Sequence, residues 1–203
     1  MVETRIFSVL LFPFLLTAAF TNGKEEEEEQ KPTADIEKFL KENQKIWVYN
    51  TTELSNITCR LDVYTNVTVN HASFSRSFVE ETRVEKKMMI GKFLDWQGGV
   101  RPLEGKYDAM EINDTEKPME YPLSYDVYEF QSDERKCAVV AVLDNSAGTT
   151  ATWLDLRVSD SVIEGGPAKV CKDQFERVLG YYPRGQRTSR ISYGTECQTR
   201  SKK

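Results

Sequence analysis

The stretches LSYDVYEFQS (123–132), CAVVAVLD (137–144) and ATWLDLRV (151–158) decide the fold. Each is short, rich in Val, Tyr, Thr and Trp, and separated from the next by a polar turn, which is the pattern of consecutive β-strands joined by hairpins. The same rhythm runs back through the chain and predicts further strands over 46–49, 59–69, 74–85, 88–94 and 106–112. Eight antiparallel strands can close into a barrel wide enough for one small ligand, which also removes exposed sheet edges. A two-sheet sandwich of the same strands satisfies the pattern too. Two helices flank the meander. Ile36, Phe39 and Leu40 form an apolar stripe over 34–42, with Thr33 as the expected cap, and Val170, Cys171, Gln174, Phe175 and Val178 mark a helix over 168–179 packed outside the sheet. Gly165-Gly166-Pro167 separates that helix from the last strand, and a strand-like piece at 190–193 lies in the basic tail.

The chain has 203 residues, a formal net charge of -5 and a sequence pI near 5.2. That suits one globular domain and disfavours nucleic acid as a partner. Residues 1–23 read as a signal peptide: Arg5 precedes an apolar run from Ile6 to Phe20, and small polar residues follow. The run contains Pro13 and leads into an acidic stretch, so no membrane anchor is expected. Residues 24–32, with five consecutive glutamates, read as a solvated tail, leaving 33–203 as the domain. Cys59, Cys137, Cys171 and Cys197 are even in number and form no metal-ligand spacing, so two disulfides are expected, with three pairings open. Sequons at Asn50, Asn56, Asn66 and Asn113 agree with a secreted glycoprotein.

Period-two geometry suggests which side chains face a barrel interior. A glycan on Asn66 must point outward, which would put Arg60, Asp62, Tyr64 and Thr68 outside and Leu61, Val63, Thr65 and Val67 inside. Elsewhere the alternation places Asp126 with Tyr128 and Phe130 on one face, and Asp155 with Trp153. A buried carboxylate among aromatic rings is costly alone and is compensated by an organic cation, so these two strands suit a small amine. Leu154 and Leu156 would then face outward and need the helix over 168–179 to cover them. Arg157 can neutralise a buried acid or receive the carboxylate of a lipid. An enzyme is not expected: His71 is the one histidine, in a polar turn, and neither a nucleophile elbow nor a phosphate loop is present. No cofactor or metal is implied.

The order of leader, helix, eight strands, helix and final cysteine resembles the tick salivary lipocalins, the group of histamine-binding proteins. The resemblance is carried by Ser124-Tyr125-Asp126-Val127-Tyr128 leading to Cys137, by Trp153-Leu154-Asp155-Leu156, and by the segment from Pro167 to Phe175 around Cys171. The general Gly-x-Trp signature of lipocalins is missing near the first strand. The resemblance implies a lipocalin-like barrel with Cys59 paired to Cys197 and Cys137 to Cys171. It also implies a secreted, monomeric scavenger of a host mediator such as histamine or serotonin, in tick saliva, working against host defence. Asp126 and Asp155 fall where the family carries amine-contacting acids. Glu81 matches a third, although Glu80 fits equally well by register and points the other way, and Arg157 stands where the family motif has a tryptophan. Tyr107, at the start of the strand over 106–112, completes the candidate set. Two alternatives stand beside the amine: a leukotriene, fatty acid or sterol in the same barrel, and a module that engages a host immune or clotting protein through loops such as 96–104.

Overall fold

Alternating polar and apolar residues fold into eight long strands, each with one face turned into a barrel and the other toward a helix or solvent. The computed structural model describes residues 34–96, 106–117 and 120–200; the expected leader, the acidic tail and Thr33 lie outside them. The strands are β1 (Lys45–Thr51), β2 (Thr58–Val67), β3 (His71–Glu80), β4 (Arg83–Leu94), β5 (Ala109–Asp114), β6 (Ser124–Gln131), β7 (Cys137–Asp144) and β8 (Ala151–Ser159). Neighbours in sequence pair antiparallel, and β1 pairs with both β8 and β2, which closes the ring. The expected strand-like piece in the tail is a short ninth strand, β9 (Arg190–Ile191), added to β1. The barrel, not the sandwich, is therefore the fold.

The helix α1 (Ile36–Glu42) fills one end of the barrel. Its cap is Asp35, whose Oδ1 accepts from the Lys38 amide at 3.1 Å, two residues after the expected Thr33. Ile36, Phe39 and Leu40 are fully buried against Ile46, Phe74, Tyr128 and Val140, with the Phe39 and Tyr128 rings edge-on at 5.9 Å. The β2–β3 and β6–β7 connections and residues 106–108 before β5 lie at this end, whereas residues 52–57, 81–82, 115–117, 120–123 and 145–150 lie at the opposite end.

On the outside, α2 (Lys169–Leu179) buries Cys171, Phe175, Val178 and Leu179 in one cluster with Leu154, Leu156, Val158, Val139 and Ala141. The exposure that Leu154 and Leu156 would otherwise suffer is thus removed, as the sequence required. The disulfide between Cys137 and Cys171 ties α2 to β7, and that between Cys59 and Cys197 ties the start of β2 to the short α3 (Glu196–Arg200). Both pairings match those implied by the resemblance. Gly166, at φ 73°, makes the sharp exit from a 3-10 turn over 160–165 that lets the chain double back to α2.

Three details differ from the sequence reading. The β3–β4 turn falls at Glu81-Thr82, with Glu81 at φ 56°, not after Glu85; the charged run Glu85-Lys86-Lys87 is an exposed end of β4 rather than a turn. The fifth strand starts at Ala109, so Tyr107 precedes it. Finally, β2 turns the opposite face inward from the one derived from Asn66. A register shift between Tyr64 and Asn66 breaks the alternation, so Asn66 and Val67 point as expected while Arg60, Asp62 and Tyr64 point in and Leu61 and Val63 point out.

Replacing Leu156 (1% exposed) by Ala should cost about 2–5 kcal/mol in urea unfolding with the disulfides intact, because α2 cannot collapse onto the cavity. Val170→Ala on the exposed side of the same helix should change stability by less than about 0.5 kcal/mol.

Candidate functional site

The middle of the barrel is charged. On β2, β3, β6 and β8 the inward positions include Arg60, Asp62, Arg76, Asp126, Asp155 and Arg157, all buried or nearly so. They form a chain of alternating sign. Arg76 holds Asp62 in a bidentate pair, Nε to Oδ1 and Nη2 to Oδ2, each at 2.8 Å, and its Nη2 lies 3.6 Å from Asp126 Oδ2. Arg157 donates from Nη1 to the same Asp126 oxygen at 2.6 Å and from Nη2 to Asp155 Oδ2 at 3.4 Å. Arg60 lies 3.8 Å from Asp155 and donates to Glu53 Oε2 at 2.6 Å, in the β1–β2 connection at the end away from α1. The order Asp62, Arg76, Asp126, Arg157, Asp155, Arg60, Glu53 begins and ends with an acid.

Burial and pairing pull these groups in different directions. Burial favours the neutral acid at Asp62, but the Arg76 charge and its hydrogen bonds prevail and hold the carboxyl below its ordinary value. At Asp155 burial prevails: the carboxyl is pushed up despite Arg157, Arg60 and the hydroxyl of Thr51, which donates to Oδ1 at 2.7 Å. Burial also lowers the tendency of Arg157 and Arg76 to stay charged, yet the surrounding carboxylates raise both above the usual arginine value. Tyr64 and Tyr128, buried just below the charges, are pushed up by desolvation.

Several polar atoms in this interior have no partner: Asp126 Oδ1, Arg157 Nε, the hydroxyls of Tyr64, Tyr128 and Ser124, and the Trp153 indole nitrogen. Ser124, Asp126 and Tyr128 follow one another on the inward face of β6, while Asp126 and Trp153 both stand opposite Val142 from the two strands flanking it. The arrangement offers one carboxylate oxygen and several donors to whatever enters, within walls formed by Trp153, Phe74, Met89, Met110 and Ile112. Gly91 belongs to this lining: a Cβ there would collide with the Met110 side chain.

The candidate residues therefore divide. Asp126, Asp155, Tyr128, Trp153 and Arg157 come together inside the barrel. Phe130 does not: a bulge between Tyr128 and Phe130 sends its ring to the outer cluster opposite Val139. Glu81 sits exposed in the β3–β4 turn, outside the site, because the strand that was to carry it ends at Glu80. Tyr107 packs on Phe93, rings 5.9 Å apart, near α1 and away from the charges. His71 makes hydrogen-bond contacts with Thr68 and Asn70 in the β2–β3 turn. Of the sequons, Asn56 and Asn66 are exposed and Asn113 half-buried, whereas Asn50 lies in the β1–β9 pairing with its Oδ1 enclosed. Trp96 leans on Tyr125 in partial exposure, and residues 97–105 of the expected protein-binding loop lie outside the described residues. Sequence reasoning missed Arg60, Asp62 and Arg76; their alternation with Tyr64 and Phe74 along β2 and β3 was the available signal.

No protein-family model and no curated protein sequence matches the chain. Solved structures do. The serotonin complex of AM182 aligns at TM-score 0.54 and 16% identity over 81% of this chain and 93% of that one. The siderocalin Ex-FABP aligns at 0.53 and 8% identity, covering 75% and 94%. Insecticyanin from the tobacco hornworm Manduca sexta aligns at 0.51 and 13% identity, covering 82% and 84%. This is the lipocalin fold: a closed eight-stranded antiparallel barrel with a helix at each end of the sequence. Two disulfides agree with folding in an oxidising compartment.

Asp62→Asn should cost about 3–5 kcal/mol near neutral pH, because it strands the Arg76 guanidinium. The sign with pH follows from the lowered Asp62 value: its contribution is present above the ordinary aspartate range and is lost as acidification passes through the lowered value. Chemical denaturation should accordingly show wild type and variant converging below about pH 4. Asp155, whose value is raised, behaves oppositely: its contribution is present in acid and fades as pH rises, so Asp155→Asn should be the milder change at neutral pH.

Proposed function

We propose that the protein is a secreted scavenger that binds a small organic cation inside its barrel, stoichiometrically and without turnover. A biogenic amine of the size of histamine or serotonin fits the reading. The observation that carries it is Asp126 Oδ1, a carboxylate oxygen sealed in the barrel with no partner, on a residue whose other oxygen is shared by two arginines. An ammonium donating to that oxygen gains a charge-assisted hydrogen bond in a medium of low polarity. The sign of the surroundings supports the same guest. A charged chain that begins and ends with an acid has one more carboxylate than guanidinium, so a monovalent cation balances it and an anion would not. Trp153 and Tyr128 supply ring faces and hydrogen-bonding tips beside the acid.

The lipid alternative is weakened: of its apolar wall of Leu61, Val63 and Val67, the first two face the outer cluster and only Val67 packs inside, and Arg157 is already committed to two carboxylates. Export would follow removal of residues 1–23, with the acidic segment 24–32 preceding the barrel domain and glycans carried at the exposed sequons. By likeness to the tick salivary group, the setting would be a feeding site where free mediator is lowered.

Titration calorimetry of the disulfide-bonded secreted chain with histamine, serotonin and a leukotriene tests the reading. Amine binding with one dominant site is expected, weakened at least tenfold by Asp126→Asn in a variant that circular dichroism shows to be folded. Tight binding of the leukotriene with no response to either amine would overturn it.

A further inference from the structure

The guanidinium of Arg60 is held the way a cationic guest would be held. Its Nη2 donates to Glu53 Oε2 at 2.6 Å, its Nη1 stands 3.8 Å from Asp155 Oδ2, and its Cζ lies 5.9 Å from the centroid of the Trp153 ring. Two carboxylates and an indole around one planar cation form a complete cation-recognition subsite, and the protein fills it with its own side chain.

Arg60 differs from the two other buried arginines in ways that bear on whether it can leave. Arg76 is locked by its bidentate pair with Asp62, and Arg157 lies deepest, its side chain 2% exposed and bonded to Asp126 and Asp155. The Arg60 side chain, at 8% exposure, lies between Arg157 at 2% and Arg76 at 12%, and what sets it apart is its closer partner, which is not an inner acid but Glu53 in the β1–β2 connection. Glu53 is itself fixed in place. The Ser55 hydroxyl donates to its other oxygen at 2.8 Å, and Arg190 binds the same connection, donating from Nη2 to the carbonyls of Ser55 at 2.6 Å and Ile57 at 2.7 Å. Arg60 can therefore give up Asp155 and the indole face while Glu53 keeps hold of it.

We propose that Arg60 is a tethered competitor: it occupies the subsite of Asp155 and Trp153 in the empty barrel and swings toward Glu53 and the β1–β2 connection when a cationic guest arrives. The inference rests on the amine-binding reading and adds a control to that same site. A tethered group acts at an effective concentration in the millimolar range, so the guest must bind Asp155 and Trp153 better than a guanidinium that never diffuses away. Apparent affinity is reduced by the fraction of time the subsite is closed, and selectivity against weak cations rises in step. Arg60 is thus a specificity-determining residue that never needs to touch the guest.

The test has two arms. In the first, serotonin is titrated into wild type, Arg60→Gln and Arg60→Lys. Arg60→Gln should bind roughly tenfold tighter, while Arg60→Lys, which keeps a tethered cation, should stay near wild type. In the second, methylguanidinium is added to wild type and to Arg60→Ala and the melting temperature is followed. The small cation should raise the melting temperature of Arg60→Ala and leave wild type unchanged, because only the variant has an open subsite. If wild type binds serotonin and Arg60→Gln binds it no tighter, the competitor is wrong and the amine reading stands. If methylguanidinium fails to stabilise Arg60→Ala, the subsite is wrong as well. If methylguanidinium rescues Arg60→Ala but no form binds an amine, the tethered cation is real and the amine reading fails. Should both neutral variants fail to fold, serotonin affinity in Arg60→Lys decides: a shift of more than about threefold from wild type in either direction counts against competition by charge alone.

Discussion

Seven charged side chains threaded through a closed barrel impose the constraint on which the rest of this structure depends. Taking a carboxylate or a guanidinium out of water costs several kcal/mol even after relaxation, and the loss is offset only where opposite charges meet in good geometry. Here the alternation from Asp62 to Glu53 puts every arginine between two acids, and no two like charges are consecutive. That order can exist only if four different strands present the right face. A slip of one residue in β6 or β8 would turn Asp126, Asp155 and Arg157 into the apolar cluster beneath α2 and bring Val127, Leu154 and Leu156 into the charges. The polar interior and the apolar exterior thus specify each other, which inverts the usual expectation for a small soluble fold.

Two of the bulges mark the limit of this arrangement. Register shifts occur between Val48 and Asn50, between Thr58 and Leu61, between Tyr64 and Asn66, and between Tyr128 and Phe130. The last two fall where β2 and β6 pass from the charged middle to the apolar end filled by α1. Each inserts one residue, so that the polar-facing series of one half of the strand gives way to a different series in the other. The end with α1 then packs Ile36, Phe39 and Leu40 against Tyr128 and Phe74 as an ordinary hydrophobic core, and the charges keep the half away from α1.

On the proposed reading, a cation would enter this barrel by exchange with a resident arginine rather than by filling an apolar hollow. Its acids are not bare. Arg157 and Arg60 partly satisfy Asp155, and Asp126 keeps a single oxygen in reserve. A guest would then be selected by the difference between its own contacts and those of the Arg60 guanidinium it displaces, together with the donors of Tyr64, Tyr128, Ser124 and Trp153 that still lack partners. Such a balance would give modest affinity for any cation and strong preference for one whose shape reaches both the acid and the surrounding donors.

Local pattern was enough to place the strands, the two main helices, the even set of cysteines and the inward direction of Asp126, Tyr128, Trp153, Asp155 and Arg157, because hydrophobic periodicity and side-chain alternation act over a few residues at a time. The pairing of those cysteines was open to composition and spacing and came only from likeness to a family. What the chain could not reveal locally is where alternation breaks. Asn66 and Phe130 each lie just past a bulge, so the direction inferred from Asn66 did not carry back to Arg60, Asp62 and Tyr64, and that of Tyr128 did not carry forward to Phe130. Nor could one strand announce that an acid on β6 and another on β8 would be met by arginines from β2 and β3. Charge pairing across a closed barrel depends on distances between residues far apart in sequence, and only the folded sheet brings them within reach of one another.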